Sequence, residues 1–99
     1  MTNDLNLLPQ GWRKMAQELL DKAQREFRGI EFTNISANPG GWLSIEFDKH
    51  SVGVEQNWRA LKMAEGYSSM SWHVCSECGS HRGETHPGHV FAICEECRD

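Results

Sequence analysis

Cys75-Ser76-Glu77-Cys78, followed fifteen residues later by Cys94-Glu95-Glu96-Cys97, decides how this chain folds. The two C-x-x-C pairs contain all four of its cysteines. Two residues between thiolates let a tight knuckle aim both sulfurs at one ion, and the spacing between pairs lies in the range of structural zinc sites. Gly79 follows Cys78, so the knuckle turns without a Cβ clash. The intervening stretch is long enough for a hairpin that brings the second pair back to the first, with Val90-Phe91-Ala92-Ile93 as the expected returning strand. We therefore expect Cys75, Cys78, Cys94 and Cys97 to hold one Zn2+ in a C-terminal zinc ribbon. Disulfides or an iron–sulfur cluster are the alternatives. His73, His81, His86 and His89 lie close enough in sequence to replace a cysteine, although four thiolates already complete a tetrahedral shell. A closed shell leaves no position for an activated water, so the metal's role is folding, where binding supplies about 10–16 kcal/mol.

Upstream of the knuckles the hydrophobic period is 3.6. Trp12, Met15, Ala16, Leu19, Leu20, Ala23 and Phe27 line one face of a helix expected from Pro9 to Phe27. Pro9 suits its first turn and Gly29 its exit. Lys14, Glu18, Lys22 and Glu26 step along the opposite, solvated face. The period then changes to 2. Leu43, Ile45 and Phe47 alternate with Trp42, Ser44 and Glu46, and Ile30–Ile35 is β-rich enough to pair with them across Asn38-Pro39-Gly40-Gly41. A second helix is expected from Ser51 or Val52 to about Ser69, with Val54, Trp58, Leu61 and Ala64 or Glu65 as its spine. The fold class is thus α+β: helix, antiparallel β-hairpin, helix, then the four-cysteine zinc ribbon. Residues 1–8 read as a flexible lead, 9–70 as an α-β-β-α domain, and 71–99 as a ribbon packed on it.

Charge restricts the partners. The chain has 14 acidic residues against 10 basic ones, and four thiolates on a divalent ion add a further −2 to the formal −4. The ribbon concentrates the acids: Glu77, Glu84, Glu95, Glu96 and Asp99 face only Arg82 and Arg98. Proteins that grip nucleic acid draw much of their affinity from a basic excess, so direct DNA or RNA binding is not expected. No stretch approaches the roughly 20 apolar residues of a membrane span, and the first residues lack the pattern of a signal peptide. A soluble cytoplasmic protein is expected, a setting that favours metal over disulfides for paired cysteines.

Motifs for chemistry are missing. There is no H-x-E triplet ahead of the first pair, as zinc deaminases require, no phosphate-cradling G-x-x-x-x-G-K-[ST] loop and no G-x-S-x-G turn. His86 and His89 evoke an HNH-type nuclease loop, but its Asp-His start and following Asn are absent. No enzyme and no small-molecule substrate are expected. Tryptophan is enriched at protein interfaces, and Trp42 lies on the strand face opposite Leu43. Candidate partner contacts are Trp42, Glu46, Asp48, Glu77, Glu84, Glu95 and Glu96.

Gly11-Trp12 opening the first helix, Gly40-Gly41-Trp42-Leu43 leading into a strand, and a helix ending just before C-x-x-C-G occur together here. That combination resembles small zinc-knuckle proteins of bacteria and their phages, over about residues 8–97. In overall sequence the chain is similar to phage-borne anti-CRISPR inhibitors of the type I-F RNA-guided surveillance complex. The resemblance implies a non-catalytic inhibitor in the bacterial cytoplasm that binds this complex and blocks target DNA engagement. The alternative is a nucleic-acid or transcription-associated zinc-ribbon module.

Overall fold

Helix α1 spans Gln10–Glu26 and begins without a side-chain cap. The first amides of a helix lack intrahelical partners, and here a distant segment supplies one: Gly11 N–H donates to the Ser76 carbonyl at 2.8 Å. The start of α1 is therefore built onto the first cysteine knuckle. The computed structural model describes residues 5–98. Within the expected lead, Leu5–Leu7 forms a 3-10 turn and Leu8 is buried in the core; residues 1–4 lie outside the described residues. The Arg13 side chain donates back to the Leu8 and Asn6 carbonyls, tying this turn to the helix. Trp12, Met15, Ala16, Leu19 and Ala23 form the buried stripe, and Phe27 extends it. The chain leaves through Gly29 at a φ of 85°, conformational space that L side chains rarely occupy.

Strands β1 (Phe32–Ala37) and β2 (Leu43–Phe47) form the antiparallel hairpin. Ile35 opposes Ile45 and Ala37 opposes Leu43, while a bulge at Thr33 resets the register so that Phe32 opposes Phe47. An uninterrupted strand would send Phe32 and Ile35 to opposite faces; the bulge lets both reach the core. In the turn, Asn38 Oδ1 accepts from Gly40 N–H at 2.8 Å and the Asn38 carbonyl accepts from Gly41 N–H at 2.8 Å.

The second helix departs from the sequence reading. Two 3-10 turns, Lys49–Ser51 and Val54–Gln56, precede α2 (Asn57–Met70). Asp48 caps the first turn by accepting from His50 N–H, and the Asn57 side-chain amide reaches the carbonyls of Lys49, Val52 and Gly53. Local side-chain bonds of this kind compete with helix formation, so the helix begins later than expected. Its rotation also differs. Of the expected spine, Val54, Trp58 and Leu61 face outward, at 90%, 67% and 46% exposure, and only Ala64 is buried, together with Ala60. Polar anchors set this rotation. Leu43 N–H donates to Ser71 Oγ at 2.9 Å, Ser68 Oγ donates to the Leu43 carbonyl at 2.6 Å, and Ser71 Oγ donates to the Ser68 carbonyl. Residues 60, 64, 68 and 71 share one helical face, so binding the serines to β2 turns the alanines inward and the large apolar residues outward.

The C-terminal segment follows α2 directly. Its expected returning strand is reduced to one bridge, Glu84 with Ile93, and Val90 is exposed. The short α3 (Glu95–Arg98) begins inside the second knuckle. No described helix is long and apolar enough to cross a membrane.

Candidate metal centre

The first knuckle is assembled by main-chain bonds. Cys75 N–H donates to the Ser80 carbonyl, Gly79 N–H to the Cys75 carbonyl, and Ser76 N–H to the Ala92 carbonyl. The amides of Glu77 and Cys78 point at Cys75 Sγ, 3.4 and 3.5 Å away. In the second knuckle the amides of Cys97 and Arg98 return to the Cys94 carbonyl. The Glu84–Ile93 bridge holds the knuckles together, with reciprocal main-chain bonds of 3.1 and 3.0 Å.

Glycines mark where backbones meet. A Cβ on Gly11 would sit 2.0 Å from the Cys75 carbonyl oxygen and 2.6 Å from Gly79 N. Gly79, at a φ of 82°, approaches the Gly11 carbonyl from the other side. Trp12 completes this junction: its indole N–H donates to the Val74 carbonyl at 2.8 Å, and its ring meets Phe91 edge-on at 5.0 Å. The Gly11-Trp12 pair is thus the socket into which the knuckle fits.

All four Sγ atoms lie within 4.8 Å of one another, so the cluster can hold a metal ion. Cys75 and Cys94 are buried, Cys97 is half-buried and Cys78 is exposed. Burial pushes the Cys75 thiol up, but amides of Cys78, Cys94 and Glu77 and the Cys78 thiol outweigh it and bring it down to about 6. Cys97 is pushed up through its hydrogen bonds with Cys94 and Cys78 and through desolvation. Cys78 is also raised: the Ser80 backbone bond favours its thiolate, and the thiols of Cys94 and Cys75 outweigh it. The environment therefore favours the thiolate at Cys75 and the protonated thiol at Cys78 and Cys97. No histidine belongs to the cluster; His86 Nδ1 instead lies 3.0 Å from Arg98 Nη1.

The seven candidate partner contacts do not form one surface. Glu84, Glu95 and Glu96 line a polar hollow of about 560 Å³ beside Cys94, shared with Arg82. Glu77 is exposed on the first knuckle. At the hairpin end, Glu46 is exposed and Asp48 is half-buried, occupied in capping His50. Trp42 is half-buried against Trp72, with ring centroids 5.8 Å apart. Sequence reading placed Trp58 in the core, whereas it stands exposed beneath the Lys62 amine, 5.5 Å from the ring centroid. The signal was present in the charges around it: Arg59, Lys62 and Glu65 leave α2 no continuous apolar stripe.

The chain matches no family model, and no similarity to a curated protein or to a solved structure reaches significance.

Proposed function

We propose that the protein is a non-catalytic binding module stapled by one structural zinc ion, and that it acts as an inhibitor of a protein assembly. The observation that carries the zinc reading is the closeness of four thiols in a junction fused to α1. Zinc–sulfur bonds of about 2.3 Å in a tetrahedron require sulfurs about 3.8 Å apart. Cys78 and Cys94 are 3.6 Å apart, and the whole set fits within 4.8 Å. Four sulfurs fill the shell and leave no place for a reacting water. Zinc here fixes the knuckles against Gly11 and supports the fold.

For the partner, the resemblance favours the type I-F RNA-guided surveillance complex. Such a complex holds target DNA on Lys/Arg surfaces. The exposed acids Glu77, Glu84, Glu95 and Glu96 give this protein a charge that such surfaces attract, and opposite charge accelerates encounter. Binding there blocks phosphate contacts sterically and electrostatically.

The test is gel filtration of the zinc-loaded protein with purified type I-F complex, followed by a target-DNA gel shift. Co-elution with loss of DNA binding is expected. No association at micromolar concentration would sink this partner. Salt-sensitive DNA binding by the isolated protein would favour the nucleic-acid module instead.

A further inference from the structure

The large apolar side chains that α2 exposes are not scattered. Trp58 and Leu61 form one wall of a groove of about 680 Å³ whose other wall is β2, at Ile45 and Phe47. Hydrogen bonding defines what this second wall offers. Antiparallel pairing directs the main-chain groups of alternate residues towards and away from the partner strand. Leu43 faces away from β1, because its N–H and C=O are bound by Ser71 and Ser68 of α2. Asp48 N–H, by contrast, bonds to the Glu31 carbonyl on the β1 side. Alternation therefore turns the N–H and C=O of Ile45 and Phe47 outward, into the groove. Among the described residues, no side chain bonds to these groups as the serines do to Leu43. At the Leu43 end α2 covers the edge, and at the Phe47 end it diverges from it.

We infer that this groove binds an extended segment of a partner protein, which adds to β2 as a third strand and places alternate apolar side chains against Trp58 and Leu61. Each wall contributes to the choice of occupant. An exposed strand edge is a template for another strand, and main-chain bonds to it give affinity while adjoining pockets select side chains. A helix satisfies its own main chain and would leave the edge unpaired. A second copy of this chain is disfavoured by size. Eight residues line the groove, against about 20–30 per side in a stable interface between folded proteins. The serine clasp at Leu43 also stops a long strand from running the whole edge. A short peptide segment meets both limits. Asn57 holds the loop between β2 and α2 through three carbonyls, so the groove is preformed and binding loses little to ordering.

This inference goes beyond the inhibitor reading: the groove can bind strands whether or not the surveillance complex is the partner, and the two experiments fail separately. The test is selection of a displayed library of random nine-residue peptides on the zinc-loaded full chain. The most enriched peptide is then synthesised and titrated against labelled protein by NMR. We expect enrichment of sequences with apolar residues at alternate positions, and shifts at the Ile45 and Phe47 amides and the Trp58 indole. Trp58→Ala and Leu61→Ser remove exposed side chains, so thermal stability should hold while affinity falls at least tenfold. Ile45→Pro also deletes an outward N–H, but it removes a side chain packed on the core. Its loss of affinity therefore counts only beside Ile45→Val, which keeps both the packing and the N–H and should bind as wild type. The inference is overturned if no peptide is enriched, or if enriched peptides carry a 3.6-residue apolar period. It is equally overturned if the shifts map to the cysteine loops, or if sedimentation shows a second copy seated on this face.

Discussion

Replacing Gly11 by Ala adds one methyl group at the point where α1 meets the four-cysteine cluster. That Cβ would lie 2.0 Å from the Cys75 carbonyl oxygen, whereas ordinary contact begins at 3.4 Å. The obstacle is backbone, so no side chain can rotate away; helix and knuckle must separate by more than an ångström. Overpacking of this kind costs about 1–3 kcal/mol. The separation also breaks the 2.8 Å bond from Gly11 N–H to the Ser76 carbonyl, a further loss of about 1 kcal/mol. Against this, Ala is favoured over Gly in a helix by up to about 1 kcal/mol. Contact and hydrogen bond win, leaving a net loss of about 1–3 kcal/mol. For a chain of this length that is a fall of about 4–24 °C in Tm. Zinc competition against a chromophoric chelator should show affinity weakened by about 5- to 150-fold, if the strain falls on the folded knuckle. Thermal unfolding of the zinc-loaded variant measures the first quantity. A Gly11→Ala protein with wild-type Tm and zinc affinity would refute the junction as described.

Four further outcomes follow from the same geometry. Gly66, within α2, has nothing within 4 Å of its would-be Cβ, so Gly66→Ala should stabilise by about 0.5–1 kcal/mol in urea unfolding. Cys78→Ser and Cys94→Ser should each lose tight zinc binding and the NMR dispersion of residues 71–98; retention of both would refute a structural metal. Ser71→Ala leaves the buried Leu43 N–H without its acceptor and should cost about 1–3 kcal/mol by the same unfolding assay. The pH dependence has a definite sign. Cys78 and Cys97 are raised above the ordinary thiol value and hold their protons at neutral pH, whereas Cys75 has largely lost its own. Zinc must displace at least two protons, so log affinity should rise by about two units or more per pH unit between pH 7 and 8. Calorimetry in buffers of different ionisation enthalpy counts those protons.

The elements whose positions depend on local pattern were legible in the sequence. The stripe from Trp12 to Phe27 defines α1 to within a residue at each end, and the alternation from Leu43 to Phe47 coincides with β2. The cysteine spacing identified the four residues that converge. What escaped depends on distant bonds. The rotation of α2 is set by Ser68 and Ser71 binding Leu43, some 25 residues away, and hydrophobicity alone points to Trp58 and Leu61 instead. The role of Gly11 is equally invisible locally, because the oxygen that excludes a Cβ belongs to Cys75. The ribbon's hairpin shrank to one bridge because Phe91 packs on Trp12 and Ala92 accepts from Ser76, drawing the segment onto the knuckle and α1.

The bond between Gly11 and Ser76 also fixes an order of events during synthesis. The amide is made 65 residues before the carbonyl that accepts from it, about 3–13 s earlier at about 5–20 residues per second. Through that interval α1 has an open first turn, and Trp12 has neither Val74 nor Phe91 against it. This junction therefore closes only after the C-terminal knuckles have been made. On the proposed zinc reading, a chain made without metal would leave the first turn of α1 unsecured, and cleavage near its N-terminus would then report on metal supply.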